Sequence, residues 1–246
     1  VTAPALPPQP PPPTTTPKQW PSLLALLAGT LAFLAIAADQ LFHGQLFRWN
    51  DPIRLTLHTH STPGGVLFFS ALSALGEFAF LFPFVLAIGI LLWWQHQKRA
   101  TLVWAIALLG SVVLNESLKN LFQVPRPDRL TFYVFAPHTG YSFPSGHTMG
   151  VTITAGTLLL LATRLRWLTP KKIRLATLAT ILLSLAVAFA LMYMGVHTLT
   201  DVLSALAVSL AWLGAIRWMI TRWLPPIHDV NEPQMHTNDT NKFTNE

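Results

Sequence analysis

Two histidines, an aspartate, a lysine and an arginine stand at spacings that packing alone does not ask for. His147 closes Pro144-Ser145-Gly146-His147, His197 precedes Asp201 by four residues, and both follow Lys119 and the Arg126-Pro127 pair. Phosphoryl transfer needs these parts: an in-line nucleophile, cationic donors around the equatorial oxygens, and an acid for the departing oxygen. A neutral imidazole is a competent nucleophile toward phosphorus, and the i, i+4 spacing lets Asp201 hold the second ring N–H of His197. Taken alone, that pair reads as a helix cap or an intramembrane hydrogen bond. The other blocks tip it toward catalysis.

His147 stands where a Gly- and Pro-containing loop passes into an apolar run, so it is expected near a helix N-terminus. There the backbone N–H groups of Ser145 and Gly146, with the serine hydroxyl, are available to an anion. His147 is the expected general acid, and the two imidazoles must then carry opposite protonation states, which predicts a bell-shaped rate profile. Lys119 and Arg126 fit as phosphate clamps, the latter between two prolines that limit its backbone. Each alone also fits interfacial snorkelling, and Glu116 lies three residues before Lys119 as an ion-pair partner. His58 and His60 read as a solvated loop because no third ligand follows at metal spacing. His138 reads as a loop histidine and Glu77 takes no role. No metal or cofactor is expected.

Membrane-spanning elements must position these residues. Hydrophobic residues make up 52% of the 246 and charged ones only 11%, against roughly 25% charged in soluble domains. With no cysteine there is no disulfide and no thiolate chemistry. The excess of basic residues lies in short connections rather than in a stripe, which argues against nucleic acid. Residues 1–20 are expected to be a disordered proline-rich tail and 223–246 a disordered polar one, flanking a membrane domain over 21–222. Within it six spans are predicted, at 21–38, 77–94, 100–118, 147–163, 174–194 and 198–219. Gly64 to Leu75 reads as a short interfacial helix. Ala35-Ile36-Ala37 resembles a signal-peptidase site, yet the long leader before it favours an uncleaved helix. Trp93, Trp94, Trp167, Trp218 and Trp223 fall at span ends as an aromatic belt.

Ten basic residues, Lys18, Lys98, Arg99, Arg164, Arg166, Lys171, Lys172, Arg174, Arg217 and Arg222, fall at alternate connections. The other side holds Arg48, Arg54, Lys119, Arg126 and Arg129. By the positive-inside rule both termini are cytoplasmic, and the loop before Ser145 lies with His197 on the outer face of what reads as a bacterial inner membrane. The fold class is therefore all-α: a six-transmembrane-helix bundle with an outer-face active-site loop.

Lys119 with Arg126-Pro127, then Pro144-Ser145-Gly146-His147, then His197 and Asp201, resemble the three signature blocks of the type 2 phosphatidic acid phosphatase superfamily. The resemblance runs from about residue 60 to 220. It implies a metal-independent lipid phosphate phosphatase in which His197 forms a phosphohistidine, His147 is the acid and Lys119, Arg126, Ser145 and Gly146 hold the phosphate. One departure stands out: the family's Ser-Arg opening the third block is Ala190-Leu191 here, so a cationic phosphate ligand is missing. Loss of one preorganised donor typically lowers turnover by roughly a hundred to a thousandfold. Arg129 is one candidate to replace it. Three readings remain open: a lipid phosphatase with an altered clamp, a lipid phosphotransferase using the same His, His and Asp set, and an inactive relative. A vanadium haloperoxidase is disfavoured, since those relatives are soluble and use the missing arginine.

Overall fold

The computed structural model describes residues 19–127 and 140–224. Among them the chain forms eight helices: α1 (Trp20–Leu41), α2 (Gln45–Thr59), α3 (Pro63–Ala74), α4 (Phe78–Trp94), α5 (Lys98–Phe122), α6 (Gly146–Arg164), α7 (Pro170–Tyr193) and α8 (Leu199–Trp223). The predicted proline-rich tail and the polar C-terminal tail lie outside the described residues, as do His138 and Arg129. At the described inner edges Trp20 opens α1 and Trp223 closes α8, so these residues are helical rather than part of a tail.

Five stretches are long and apolar enough to cross a membrane: Trp20–Leu41, Pro63–Trp94, Lys98–Phe122, Pro170–Tyr193 and Leu199–Trp223. The second joins α3 to α4 across Gly76-Glu77, the break expected there. The predicted fourth span, now α6, does not pass on apolarity. His147, Arg164 and five threonines lower its apolarity; Thr148, Thr154 and Thr157 among them are buried, and α6 packs against α5, α7 and α8. A helix enclosed by other helices satisfies polar side chains within protein and has less need of a lipid-soluble surface.

The expected loop around His58 and His60 is instead helical, His58 lying in α2 and His60 at its C-cap. Pro52 and the lack of a long apolar run hide this helix in the sequence. It starts because Asp39, at the end of α1, accepts from the N–H groups of Leu46 at 3.2 Å and Phe47 at 2.7 Å. A carboxylate there satisfies orphan donors and favours the positive end of the helix.

The most extensive helix contact joins α1 to α8, and small residues make it possible. A Cβ on Gly29 would lie 2.4 Å from the Ala211 nitrogen and 2.7 Å from the Ala207 carbonyl. One on Gly214 would lie 2.5 Å from the Leu26 nitrogen. Backbones meeting this closely gain dispersion contact where lipid supplies no hydrophobic drive. Gly29→Leu is therefore expected to cost about 3 kcal/mol or more, since backbone rather than a flexible side chain must yield. Thermal unfolding in detergent measures the loss. Trp212 fastens α8 to α5 by donating to the Ala107 carbonyl at 2.8 Å, and Trp104 fastens α5 to α4 through the Val85 carbonyl at 3.0 Å.

The bundle has two chemically distinct ends. At one, Arg99 donates to the Trp223 carbonyl at 3.2 Å and Arg164 to the Leu224 carbonyl, capping the C-terminal end of α8 with cations. The other end carries the signature residues.

Candidate active site

The C-terminal ends of α5 and α7 meet the N-terminal ends of α6 and α8, and each contributes a connection to the site. His197 lies in the α7–α8 connection and is 2% exposed. Its Nδ1 is 3.2 Å from Asp201 Oδ2, itself in the first turn of α8. The opposite ring nitrogen, Nε2, is 3.4 Å from a terminal nitrogen of Arg126. Arg126 is a donor only, so this contact places the Nε2 lone pair toward the guanidinium and the ring proton on Nδ1, toward the carboxylate.

The capping interpretation of Asp201 is seen directly in the geometry, and it is compatible with the catalytic one. Thr198 is the N-cap of α8, its hydroxyl accepting from the Asp201 N–H at 3.4 Å, while Asp201 Oδ2 accepts from the Thr198 N–H at 2.8 Å. Asp201 thus starts its helix and orients the imidazole with one oxygen. Thr200 beside it accepts from the side-chain amide of Asn50 at 2.9 Å and donates to Gln40 at 2.7 Å, tying α2 and α1 to this turn.

The candidate anion-binding residues come from α5 and α6. Ser145 is the N-cap of α6, and its own N–H donates to the Asp201 carbonyl at 3.0 Å. That nitrogen is therefore committed to the fold, a correction to its expected role toward an anion. Its hydroxyl accepts from the Thr148 N–H at 3.5 Å. Gly146 opens the helix beside Lys119, whose Nζ would lie 3.6 Å from a Cβ at that position, with Asn115 Oδ1 at 3.1 Å. Lys119 also pairs with Glu116 at 3.3 Å, the partner anticipated from spacing. His147 sits in the first turn of α6, half-buried, with its backbone pressed on Gly76, where a Cβ would come within 2.8 Å of its own.

Three contributors escaped the sequence reading. Ser142 donates to Asp201 Oδ2 and lies 3.3 Å from His197 Nδ1. Asn115, one helical turn before Lys119, reaches the Pro144 carbonyl at 3.4 Å and holds the loop on α5. Phe143 anchors the same loop in the core, 5.2 Å from the Phe122 ring and 6.1 Å from the Phe33 ring. Asn115 had a detectable signal, since it lies four residues from Lys119 on one helical face. Ser142 and Phe143 had none beyond their nearness to Pro144.

Leu191, where the resemblance leads one to expect arginine, is 1% exposed and clusters with Val151, Val187, Met194 and Val196. The position is filled by apolar packing. Burial holds the His197 imidazole below its ordinary 6.5; the bond to Asp201 opposes this, while Arg126 and Lys119 add to it. Burial also works against the Arg126 charge, and the Asp201 and Glu116 carboxylates support it.

Among the described residues the protein is helical with no strand, has five stretches apolar enough to cross a membrane, and gathers a buried His–Asp pair facing an arginine at one end of the bundle. The sequence model of the PAP2 superfamily matches residues 100–225, just over half of the chain, and the chain belongs to that superfamily. Phosphatidylglycerophosphatase B of Bacillus subtilis (strain 168) is 28% identical over 145 residues, covering 57% of this chain and 68% of that relative. An undecaprenyl-diphosphatase of Sulfolobus acidocaldarius is 25% identical over 139 residues, 55% of this chain and 57% of its own length. The fold is shared with the crystal structure of a transmembrane PAP2 type phosphatidylglycerolphosphate phosphatase from Bacillus subtilis. The TM-score is 0.69 at 23% identity, over 78% of this chain and 94% of that one.

Proposed function

We propose that this chain is an integral membrane phosphatase that hydrolyses a lipid phosphate or diphosphate monoester through a phosphohistidine at His197. The observation that carries the reading is the double grip on the His197 ring, Nδ1 on Asp201 and Nε2 facing Arg126. In the first step the Nε2 lone pair attacks phosphorus, the bond to the leaving oxygen breaks, and His147 gives that oxygen a proton. Asp201 balances the imidazolium that forms. Arg126, whose donors face Nε2 in the resting site, transfers them to the phosphoryl oxygens with Lys119, Gly146 and the Ser145 hydroxyl. In the second step water gives a proton to His147 and attacks phosphorus. The P–N bond breaks, inorganic phosphate leaves, and the Nε2 lone pair is restored.

Two further features support a lipid substrate at the outer membrane face. The site lies at the end of an apolar bundle, and the opposite end carries Arg99, Arg164 and the other basic connections, a distribution that by the positive-inside rule supports cytoplasmic termini. We read the membrane domain as six spans, with α6 as the protein-enclosed one, in a bacterial plasma membrane. Names of relatives add phosphatidylglycerol phosphate and undecaprenyl diphosphate as first candidates. Apolar packing at Leu191 keeps the phosphotransferase reading alive, because a site short of one cation is suited to a substrate that brings its own contacts.

Purified protein in detergent, offered phosphatidic acid, phosphatidylglycerol phosphate and undecaprenyl diphosphate, is expected to release phosphate from at least one, with or without EDTA. The nucleophile must be neutral, and its pKa lies below 6.5, so the acid limb of kcat/KM is expected below pH 6.5, with a basic limb set by His147. Loss of all activity on chelation, or an acid limb well above 6.5, counts against this mechanism. Product that appears only with an acceptor lipid selects the transferase.

A further inference from the structure

We propose that Ser142 is a positioning residue for the nucleophile, and that it ties the readiness of His197 to the seating of the segment that leads into the helix bearing the acid. The inference rests on His197 being the nucleophile. Three donors converge on one oxygen, Asp201 Oδ2: the Ser142 hydroxyl, the Thr198 N–H at 2.8 Å and the His197 ring at 3.2 Å. The Ser142 oxygen is also 3.3 Å from His197 Nδ1, so the hydroxyl gives its proton to the carboxylate while its lone pair faces the ring N–H. All three side chains are buried, with Ser142 and Asp201 1% exposed, and water does not compete for these bonds.

Ser142 also stands near one end of the connection between α5 and α6. Its N–H donates to the Val124 carbonyl at 2.8 Å, closing the base of that connection, and Arg126 leaves from the other side of the same base. The two residues therefore hold the two nitrogens of one ring, Ser142 at Nδ1 and Arg126 at Nε2. Phe143, Pro144 and Ser145 continue directly to His147, so a shift of this segment moves the acid and loosens the ring together. The charged groups that act on His197 are Asp201 of α8, Lys119 of α5 and Arg126 beyond it, while Glu116 pairs with Lys119 and His147 stands in the first turn of α6. Arg54 and His58 lie on the half-buried face of α2, with Glu77 before α4 and Tyr193 at the end of α7.

Removing the hydroxyl leaves the Asp201 charge more fully available to the imidazolium, which favours the protonated ring. Ser142→Ala is therefore expected to move the acid limb of kcat/KM to higher pH and to lower kcat about tenfold to a hundredfold, with KM changed little. Ser142→Thr, which keeps the hydroxyl, is expected to recover most of both. A residue that only packs would reduce the yield of folded protein and leave the limb in place. The proton state is also read without turnover, by 15N NMR of histidine-labelled protein in micelles, with the His197 signal identified by its absence in His197→Ala. In wild type that ring is expected as the Nδ1–H tautomer, titrating below 6.5, and in Ser142→Ala at higher pH with mixed tautomers. An unchanged limb and an unchanged titration overturn the proposal. Wild type that is inert while the titration shifts as expected sinks the phosphatase reading and leaves the positioning role standing.

Discussion

Replacement of His197 by alanine is expected to abolish phosphate release, lowering turnover by about four to six orders of magnitude. The ring is the one described group whose lone pair faces a guanidinium and whose second nitrogen is held by a buried carboxylate. Water attacking directly would lose both the covalent step and the orientation that Asp201 supplies. Folded protein must be measured alongside, because Asp201 and Ser142 then face a cavity, at a cost of about 1 to 3 kcal/mol for the buried polar groups. The covalent step has its own readout. Wild type quenched in alkali after exposure to 32P-labelled substrate should retain label in an acid-labile, base-stable form, and His197→Ala should retain none. Label that forms and leaves only when an alcohol-bearing lipid is added favours the transferase. Label that persists in His197→Ala removes this residue as the nucleophile.

Asp201→Asn is expected to lower kcat by roughly a thousand to ten-thousandfold while KM changes far less. The carboxylate uses one oxygen for three donors, and its other oxygen, Oδ1, is buried with no hydrogen-bond partner among the described residues. An asparagine therefore has two poor choices. With its NH2 at the Oδ2 position it meets three donors and turns the ring toward the wrong tautomer. Reversed, it leaves an NH2 buried at the Oδ1 position and presents a neutral oxygen to the imidazolium. The backbone bond from Ser145 to the Asp201 carbonyl survives either way, so the loop stays seated and substrate binding is largely kept. Equal losses in affinity and turnover would show instead that Asp201 mainly holds the loop.

The parts legible in the sequence were those with periodic or spaced signals. Long apolar runs announced α1, α4, α5, α7 and α8, and the i, i+4 spacing announced the His197–Asp201 contact. α6 was legible as a helix but not as to its surroundings, since its buried threonines find their place only in the packing among α5, α7 and α8. α2 was hidden because its cap comes from Asp39, on the preceding helix, and because Pro52 lies inside it. Ser142 has no spacing signal, and only the fold brings it to a carboxylate 59 residues away. Leu191 was legible as an absent cation, yet the apolar cluster that replaces it is assembled from α6, α7 and the connection after α7. Chemistry set by neighbours in sequence was readable; chemistry set by tertiary contact was not.

The close seam between α1 and α8 has a consequence for biogenesis. These are the first and last described helices, and Gly29 and Gly214 let their backbones touch. During synthesis α1 enters the bilayer before α8, and the face around Gly29 stays uncovered until α8 emerges. Asp201 arrives on that same final helix. α8 thus covers α1 and, on the proposed mechanism, delivers the carboxylate that orients His197, so a chain made only as far as α7 would hold Lys119, Arg126 and His147 without that partner.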